Sequence, residues 1–296
     1  MPAEPLFDMD TVEVLRGPQG TFTGASSTGG AIFFRGAAPR LDETSGSASL
    51  LLGSYDRVNF QGVFNAPVAE NVAARIAVNF DERDSYFSLN GETAELYPGS
   101  PARTPGNKNQ RNIRLGLLWE PTDSLSVLST TTFNRNNTDG FALIPNLLND
   151  SYSGVDYQLQ YNTPDTQYDV EGFRQALEIN YEFDNGVSLR SVSGYNRVEF
   201  IQVSDSDHSS LASNVFSNRG TEEVFTQEVN LISPDEADLT WVVGAFYMRD
   251  IPKIKLGVNQ SPPPDVDARV KTTKTGKAIF GHVTYDISTS LEVEMG

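Results

Sequence analysis

"VAARIAVNF", residues 72–80, alternates without a break: Val72, Ala74, Ile76, Val78 and Phe80 fall on one side of an extended chain, Arg75 and Asn79 on the other. Successive side chains of a strand point to opposite faces, so a period of two marks a β-strand whose faces meet different surroundings. Helical spacing would scatter the same apolar set around a cylinder.

The pattern recurs in both directions from there. "NIRLGLLWE", residues 112–120, sets Ile113, Leu115, Leu117 and Trp119 against Arg114 and Glu120. "FRQALEINYEF", residues 173–183, sets Phe173, Leu177, Ile179, Tyr181 and Phe183 against Arg174, Glu178, Asn180 and Glu182. Residues 58–68, 125–133, 239–247 and 279–287 repeat it, with blemishes at Gln175, Gln227 and around Val192. About eleven strands of roughly ten residues are expected between Ser45 and the C-terminus. After a first tight turn near Gly53–Asp56, short turn signals (66–71, 120–124, 183–187, 233–238, 286–290) alternate with long polar stretches near 84–109, 137–171, 203–220 and 252–273.

Composition narrows the setting. Of 296 residues only 38% are hydrophobic and 21% are charged, and no window approaches the ~18 apolar residues of a membrane helix. Met1–Asp10 has neither the basic start nor the apolar stretch of a signal peptide, so the chain either stays inside the cell or lacks its natural N-terminus. With no cysteine, disulfides, thiol catalysis and cysteine metal sites are excluded. A net charge of −17 opposes binding to nucleic acid or anionic lipid through bulk attraction.

Short turns on one side, long connections on the other and strands alternating apolar-out with polar-in are the arrangement of an outer-membrane barrel. Phe80, Trp119, Phe133, Tyr181, Phe183, Trp241, Tyr247 and Tyr285, near strand ends, suit two interfacial girdles. A soluble β-sandwich shares the period. It would have to satisfy each Arg, Asn, Glu and Gln of the inner faces in a dry core, which favours the barrel. Ile76, Val78, Leu115, Leu117 and Ile179 are then expected toward lipid, and Arg75, Arg114 and Glu178 toward the lumen.

Ahead of the strands lies "VEVLRGPQGTFTGASSTGGAIFF", residues 12–34, rich in glycine and without alternation. It has neither the Lys-Ser/Thr closure of a P-loop nor the spacing of a dinucleotide fingerprint. Paired Gly and Gly-Pro mark tight turns with close backbone approach. Val12, Val14, Leu15, Ile32, Phe33 and Phe34 flank them as two short strands. The segment Thr11–Arg40 resembles the last part of the plug domain of TonB-dependent outer-membrane receptors, with Arg16, Gly17, Pro18, Gly20, Gly24, Gly29, Gly30, Ala31 and Ile32 on that pattern. Thr226–Asp250 and Lys277–Gly296 are similar to barrel hairpins of the same family. It departs at Phe22-Thr23-Gly24-Ala25, where the family often has Leu-Tyr-Gly and a basic residue, and its basic tail is reduced to Arg35 and Arg40.

The resemblance implies an all-β fold: residues 1–40 as the C-terminal part of a plug and 41–296 as the N-terminal half of an antiparallel transmembrane β-barrel, half of 22 strands, in a longer protein. It implies active uptake of a scarce nutrient such as a ferric siderophore, cobalamin or glycan across the Gram-negative outer membrane. The partners would be the TonB complex, a small-molecule ligand and outer-membrane lipid. A passive porin or adhesin barrel is the alternative, and a soluble carbohydrate-active enzyme a more distant one. By the same resemblance Arg16 would pair with carboxylates of the barrel wall; read alone, it is equally a solvated strand-end charge.

Catalytic chemistry is not legible, and no cofactor is expected. His208, in "SDSDHSS" with Asp205 and Asp207, reads as a solvated loop histidine rather than a metal ligand, and His282 as lumen-lining. Residues 137–171 carry six acidic residues, no basic one, and the aromatics Phe141, Tyr152, Tyr157, Tyr161 and Tyr168. Displayed on a long outer loop, these could stack on a ligand at low cost in side-chain entropy; a solvated acidic lid is the plainer reading.

Overall fold

The computed structural model describes residues 6–17, 29–89, 105–141, 159–160, 166–205, 215–234, 239–259, 266–288 and 291–296. No helix occurs among them. A hairpin, β1 (Met9–Arg16) and β2 (Gly30–Gly36), leads through a short link into one antiparallel sheet. That sheet is built in chain order from β3 (Ser45–Gly53), β4 (Arg57–Ala69), β5 (Val72–Arg83), β7 (Lys108–Thr122), β8 (Leu125–Thr138), β10 (Gln167–Glu182), β11 (Ser188–Asp205), β12 (Val215–Ile232), β13 (Leu239–Asn259), β15 (Lys274–Ser288) and β16 (Leu291–Met295). Each strand pairs with its predecessor, so the sheet is a meander of eleven successive strands, open at β3 and β16. Two-residue strands β6 (Ser88–Leu89) and β9 (Leu159–Gln160) pair in parallel between two long connections.

One further strand, β14 (Val266–Lys271), pairs with the upper part of β13. Lys253 faces Lys271 and Asp250 faces Lys274, so β14 and β15 share one register along β13 and form a single interrupted strand. The interruption lies opposite Pro252. The carbonyl of Pro252 accepts the N–H of Thr272 at 3.1 Å, but its ring nitrogen has no proton to return to the ladder.

Strand length is where the sequence reading needs correction. β11 and β12 each run 18 residues and β13 runs 21, so most of 203–220 and 252–273, expected as loops, is ladder. The apolar alternation stops near Tyr247 while backbone pairing continues, because ladder hydrogen bonds do not depend on what the side chains meet. Polarity marks the edge of the apolar band, not the end of the strand. The turn at 54–56 also lies on the side of the long connections.

The hairpin and link lie against the face carrying Arg75 and Arg114, which makes that face the inner one. Cross-strand register then places Ile76, Val78, Leu115, Leu117 and Ile179 outside, and Arg75, Arg114 and Glu178 inside, as the alternation predicts. Outside, Phe60 stacks with Phe80, and Phe133, Phe173 and Tyr195 form a staircase with ring centroids 5.2 and 6.1 Å apart. Phe225 and Tyr247 extend that upper girdle, while Trp119, Tyr181 and Phe183 lie toward the short-turn ends. Between Val72 and Phe80 the band measures ~27 Å along the strand at ~3.4 Å per residue, or ~21 Å along the membrane normal for a ~40° tilt, close to the ~25 Å expected of outer-membrane barrels.

The polar blemishes resolve within this band. Gln175 and Gln227 are both on the outer face. The Thr131 hydroxyl donates to Gln175 Oε1 (2.5 Å), and Gln175 Nε2 donates to Ser129 Oγ (2.9 Å). Ser193 and Ser191 flank Gln227 in the same way, at 2.5 and 3.0 Å. Each amide is thus paired where an unpaired one would cost several kcal/mol. Val192 instead faces inward, toward the hairpin.

Candidate functional site at the hairpin and the lumen mouth

The closest packing in the molecule is where the link crosses the wall. Ala73 and Ala77 on the inner face of β5 are buried, and Phe7 is 4% exposed. Gly116 takes Pro39 so closely that a Cβ there would come within 2.9 Å of the ring. Asn65, fully buried, clamps the link: its side chain accepts the Arg40 N–H (2.9 Å) and donates to the Arg40 and Glu43 carbonyls (3.0 and 2.8 Å).

Charge fixes the hairpin itself. Asp8, in a left-handed conformation (φ 49°), receives Arg75 in a bidentate pair at 2.9 and 2.5 Å. Arg114, 6% exposed, donates to the carbonyls of Phe7 (2.9 Å) and Asp8 (3.0 Å) and lies 4.7 Å over the Phe7 ring. Its guanidinium covers Gly36, where a Cβ would sit 2.6 Å from Nη1, so only glycine fits. Farther along the link, the hydrogen bond from Arg40 holds the Asp42 carboxyl below its ordinary range, and Asp42 raises Arg40 in return. Between hairpin and wall remains a space of about 840 Å3, with Asp10, Glu13 and Arg35 on one side and Arg174, Glu178 and Arg190 on the other.

At the end of the long connections the inner face carries cations and rings. Arg57 and Lys108 both bind Asp81, Arg57 at 3.1 and 3.0 Å. Tyr55, whose φ of 61° is unusual for a side chain of that size, packs edge-on against Tyr86 at 4.7 Å. Arg83 stacks on the Tyr86 ring at 3.6 Å and donates to the Gly106 carbonyl. The Gly106 N–H reaches the Gly140 carbonyl (3.0 Å), beyond which Phe141 and Tyr168 meet at 4.8 Å. The strand ends flanking two long connections are thus sewn into one aromatic rim.

No protein-family model matches the chain. Solved structures do. The ferric yersiniabactin uptake receptor FyuA of Yersinia pestis superposes with a TM-score of 0.79 over 97% of this chain and 43% of its own, at 16% identity. The ferripyoverdine receptor of the Pseudomonas aeruginosa outer membrane gives 0.76 over 97% and 40%, at 14% identity. The ferric-catecholate import receptor Fiu of E. coli K12 gives 0.73 over 97% and 49%, at 14% identity. The fold is that of the TonB-dependent outer-membrane receptors. The chain spans less than half the length of each of these receptors.

In this fold's terms β1–β2 corresponds to plug and the eleven-strand meander to barrel wall. Of the plug-motif residues, Gly30 has φ +113° and would place a Cβ 2.4 Å from the Leu15 carbonyl, the close approach that the sequence suggested. Gly17 has φ +83°, whereas Gly29 has neither a positive φ nor a close neighbour. Arg16 lies exposed at the end of β1, opposite Gly30. Pro18, Gly20 and Gly24 lie outside the described residues, as do His208, Tyr152 and Tyr157; of Tyr161 the same is true. His282 faces the lumen, 2.9 Å from Glu294. Sequence reasoning did not single out Asp8. Its only signal was a carboxylate two residues before the first alternating strand, which nothing distinguishes from a solvated one.

Proposed function

We propose that this chain belongs to a TonB-dependent receptor of the Gram-negative outer membrane, with residues 1–40 as the C-terminal part of its plug and 41–296 as the N-terminal half of its barrel. The protein is a transporter and not an enzyme. It takes up a scarce nutrient, a ferric siderophore in the first instance, in steps driven by the TonB complex. Phe141 and Tyr168, with Tyr152, Tyr157 and Tyr161 on the same connection, contact the ligand as it enters. The observation that carries this reading is the hairpin held on the inner face by Asp8, Arg75 and Arg114, since a passive pore needs an open lumen and has no use for such a contact. The names of the matched proteins, ferric-chelate receptors among them, support the ligand class. The test is uptake of radiolabelled ferric chelates by cells with and without the gene, in strains with and without TonB. Uptake that needs both is expected. Permeation of small solutes that is indifferent to TonB would favour the porin.

A further inference from the structure

The outer face changes character above the upper girdle, and it does so unevenly. On β12–β15 that face carries Arg219, Arg249, Lys253, Lys255, Arg269, Lys271 and Lys277, against only two carboxylates, Glu223 and Asp267. This occurs in a chain of net charge −17. Arg219, Lys253, Lys255, Arg269 and Lys271 line one side of a groove of about 710 Å3. The opposite side holds Asp169, Glu171 and Glu199. Those carboxylates are engaged: Glu171 by Arg135 (3.3 Å), Glu199 by Arg197 (2.5 Å), and Asp169 by the side-chain amide of Asn137 (2.8 Å). On the basic side Lys253 reaches Glu223 at 3.4 Å, and Lys255 and Arg269 share Asp267 at 3.4 and 3.8 Å. Arg219 and Lys271 have no carboxylate within 4 Å among the described residues.

Height identifies the ligand. Arg249 stands two residues beyond the girdle residue Tyr247, and Lys255 stands eight beyond it. At ~3.4 Å per residue and ~40° of tilt, the cations climb to ~20 Å above the girdle. The headgroup layer of a phospholipid leaflet is only ~6 Å thick. Phosphates held at every level of this surface must sit on a headgroup far taller than glycerophosphate.

We propose that this outer-face groove binds the phosphorylated saccharide headgroup of an anionic glycolipid in the outer leaflet. The proposal rests on the barrel lying in the outer membrane and is independent of what the receptor imports. Lys271 and Arg219 meet phosphates directly, the paired lysines turn from Glu223 and Asp267 to the sugar phosphates, and the rings of Phe225 and Tyr247 lie along the acyl chains beneath.

The test uses the full-length protein in detergent micelles, offered in turn a bisphosphorylated diglucosamine lipid, phosphatidylglycerol and phosphatidylcholine, with retained lipid counted by native mass spectrometry. The wild type should keep the glycolipid in preference to both phospholipids, and lose it as salt is raised. Cations near a charged membrane surface contribute about fivefold each to binding. Lys271→Gln and Arg219→Gln, which break no ion pair, should each lower retention by about that factor. The quadruple variant Lys253→Gln, Lys255→Gln, Arg269→Gln, Lys271→Gln should lower it by on the order of 100-fold. Arg135→Gln with Arg197→Gln, on the opposite side of the groove, should leave it unchanged. Phosphatidylglycerol retained as well as the glycolipid would overturn the choice of a tall headgroup. Single variants that bind like the wild type would overturn the site. Ferric-chelate uptake, measured in parallel, is expected to persist in the single variants; its absence from the wild type as well would count against the transport reading and leave the lipid site standing.

Discussion

An arginine at position 76 tests the orientation of the whole sheet. Ile76 lies four residues from Val72 and four from Phe80, at the middle of the apolar band of β5, with Phe64 and Leu115 beside it on the neighbouring strands. It is 43% exposed on a face that the hairpin does not touch. Its neighbour in sequence is already an arginine, but Arg75 points the other way and is capped by Asp8. Arg at the midplane of the lipid face costs ~2–4 kcal/mol, about 30- to 900-fold in the folding equilibrium at 1.4 kcal/mol per decade. Leu118→Arg is the control: it introduces the same group into the space beside the hairpin, where water and Glu178 can meet it. Both variants of the full-length protein would be unfolded by urea in lipid vesicles, followed by the emission of Trp119 and Trp241. Ile76→Arg should unfold at clearly lower urea and Leu118→Arg near the wild type. The reverse order would mean that the inner and outer faces have been exchanged.

Three further outcomes are expected. Asp8→Asn leaves Arg75 without its counter-charge at a largely buried position and should weaken hairpin seating by ~1–3 kcal/mol, seen as faster labelling of a cysteine at Met9 with the unfolding of the wall unchanged; labelling at the wild-type rate would show that the pair does not hold the hairpin. Phe141→Ala and Tyr168→Ala should each weaken ligand binding about fivefold, the worth of one aromatic contact of ~1 kcal/mol, while Tyr181→Ala on the outer face should not; equal effects at all three positions would remove the rim from recognition. The 296-residue chain expressed alone should aggregate, because β3 and β16 present unpaired backbone edges; a compact, heat-modifiable monomer would contradict this.

Side-chain alternation made the number, order and facing of the wall strands readable, because lipid and lumen impose opposite demands on adjacent residues. The identity of Ile76 and Arg75 alone places both correctly. Where strands end was not readable: beyond Tyr247 both faces of β13 meet polar surroundings, so side chains no longer report the ladder. The glycines pointed to close approach, and Gly30 shows it, but the tightest case, Gly36 beneath Arg114, lies outside the motif. Nor did any local pattern announce that Asp8 would meet Arg75, since that pair closes 67 residues of intervening chain.

The shared register of β14 and β15 limits how this region can change in evolution. Thr272 and Thr273 bridge the gap opposite Pro252 without altering the count of residues between the two strands. Removing or adding one residue there, with no compensating bulge, would turn β14 inside out, carrying Asp267, Arg269 and Lys271 into the lumen and Val266, Ala268 and Val270 outward. Viable length changes at this point should therefore come in pairs, and among homologous sequences the spacing between these two segments should share one parity.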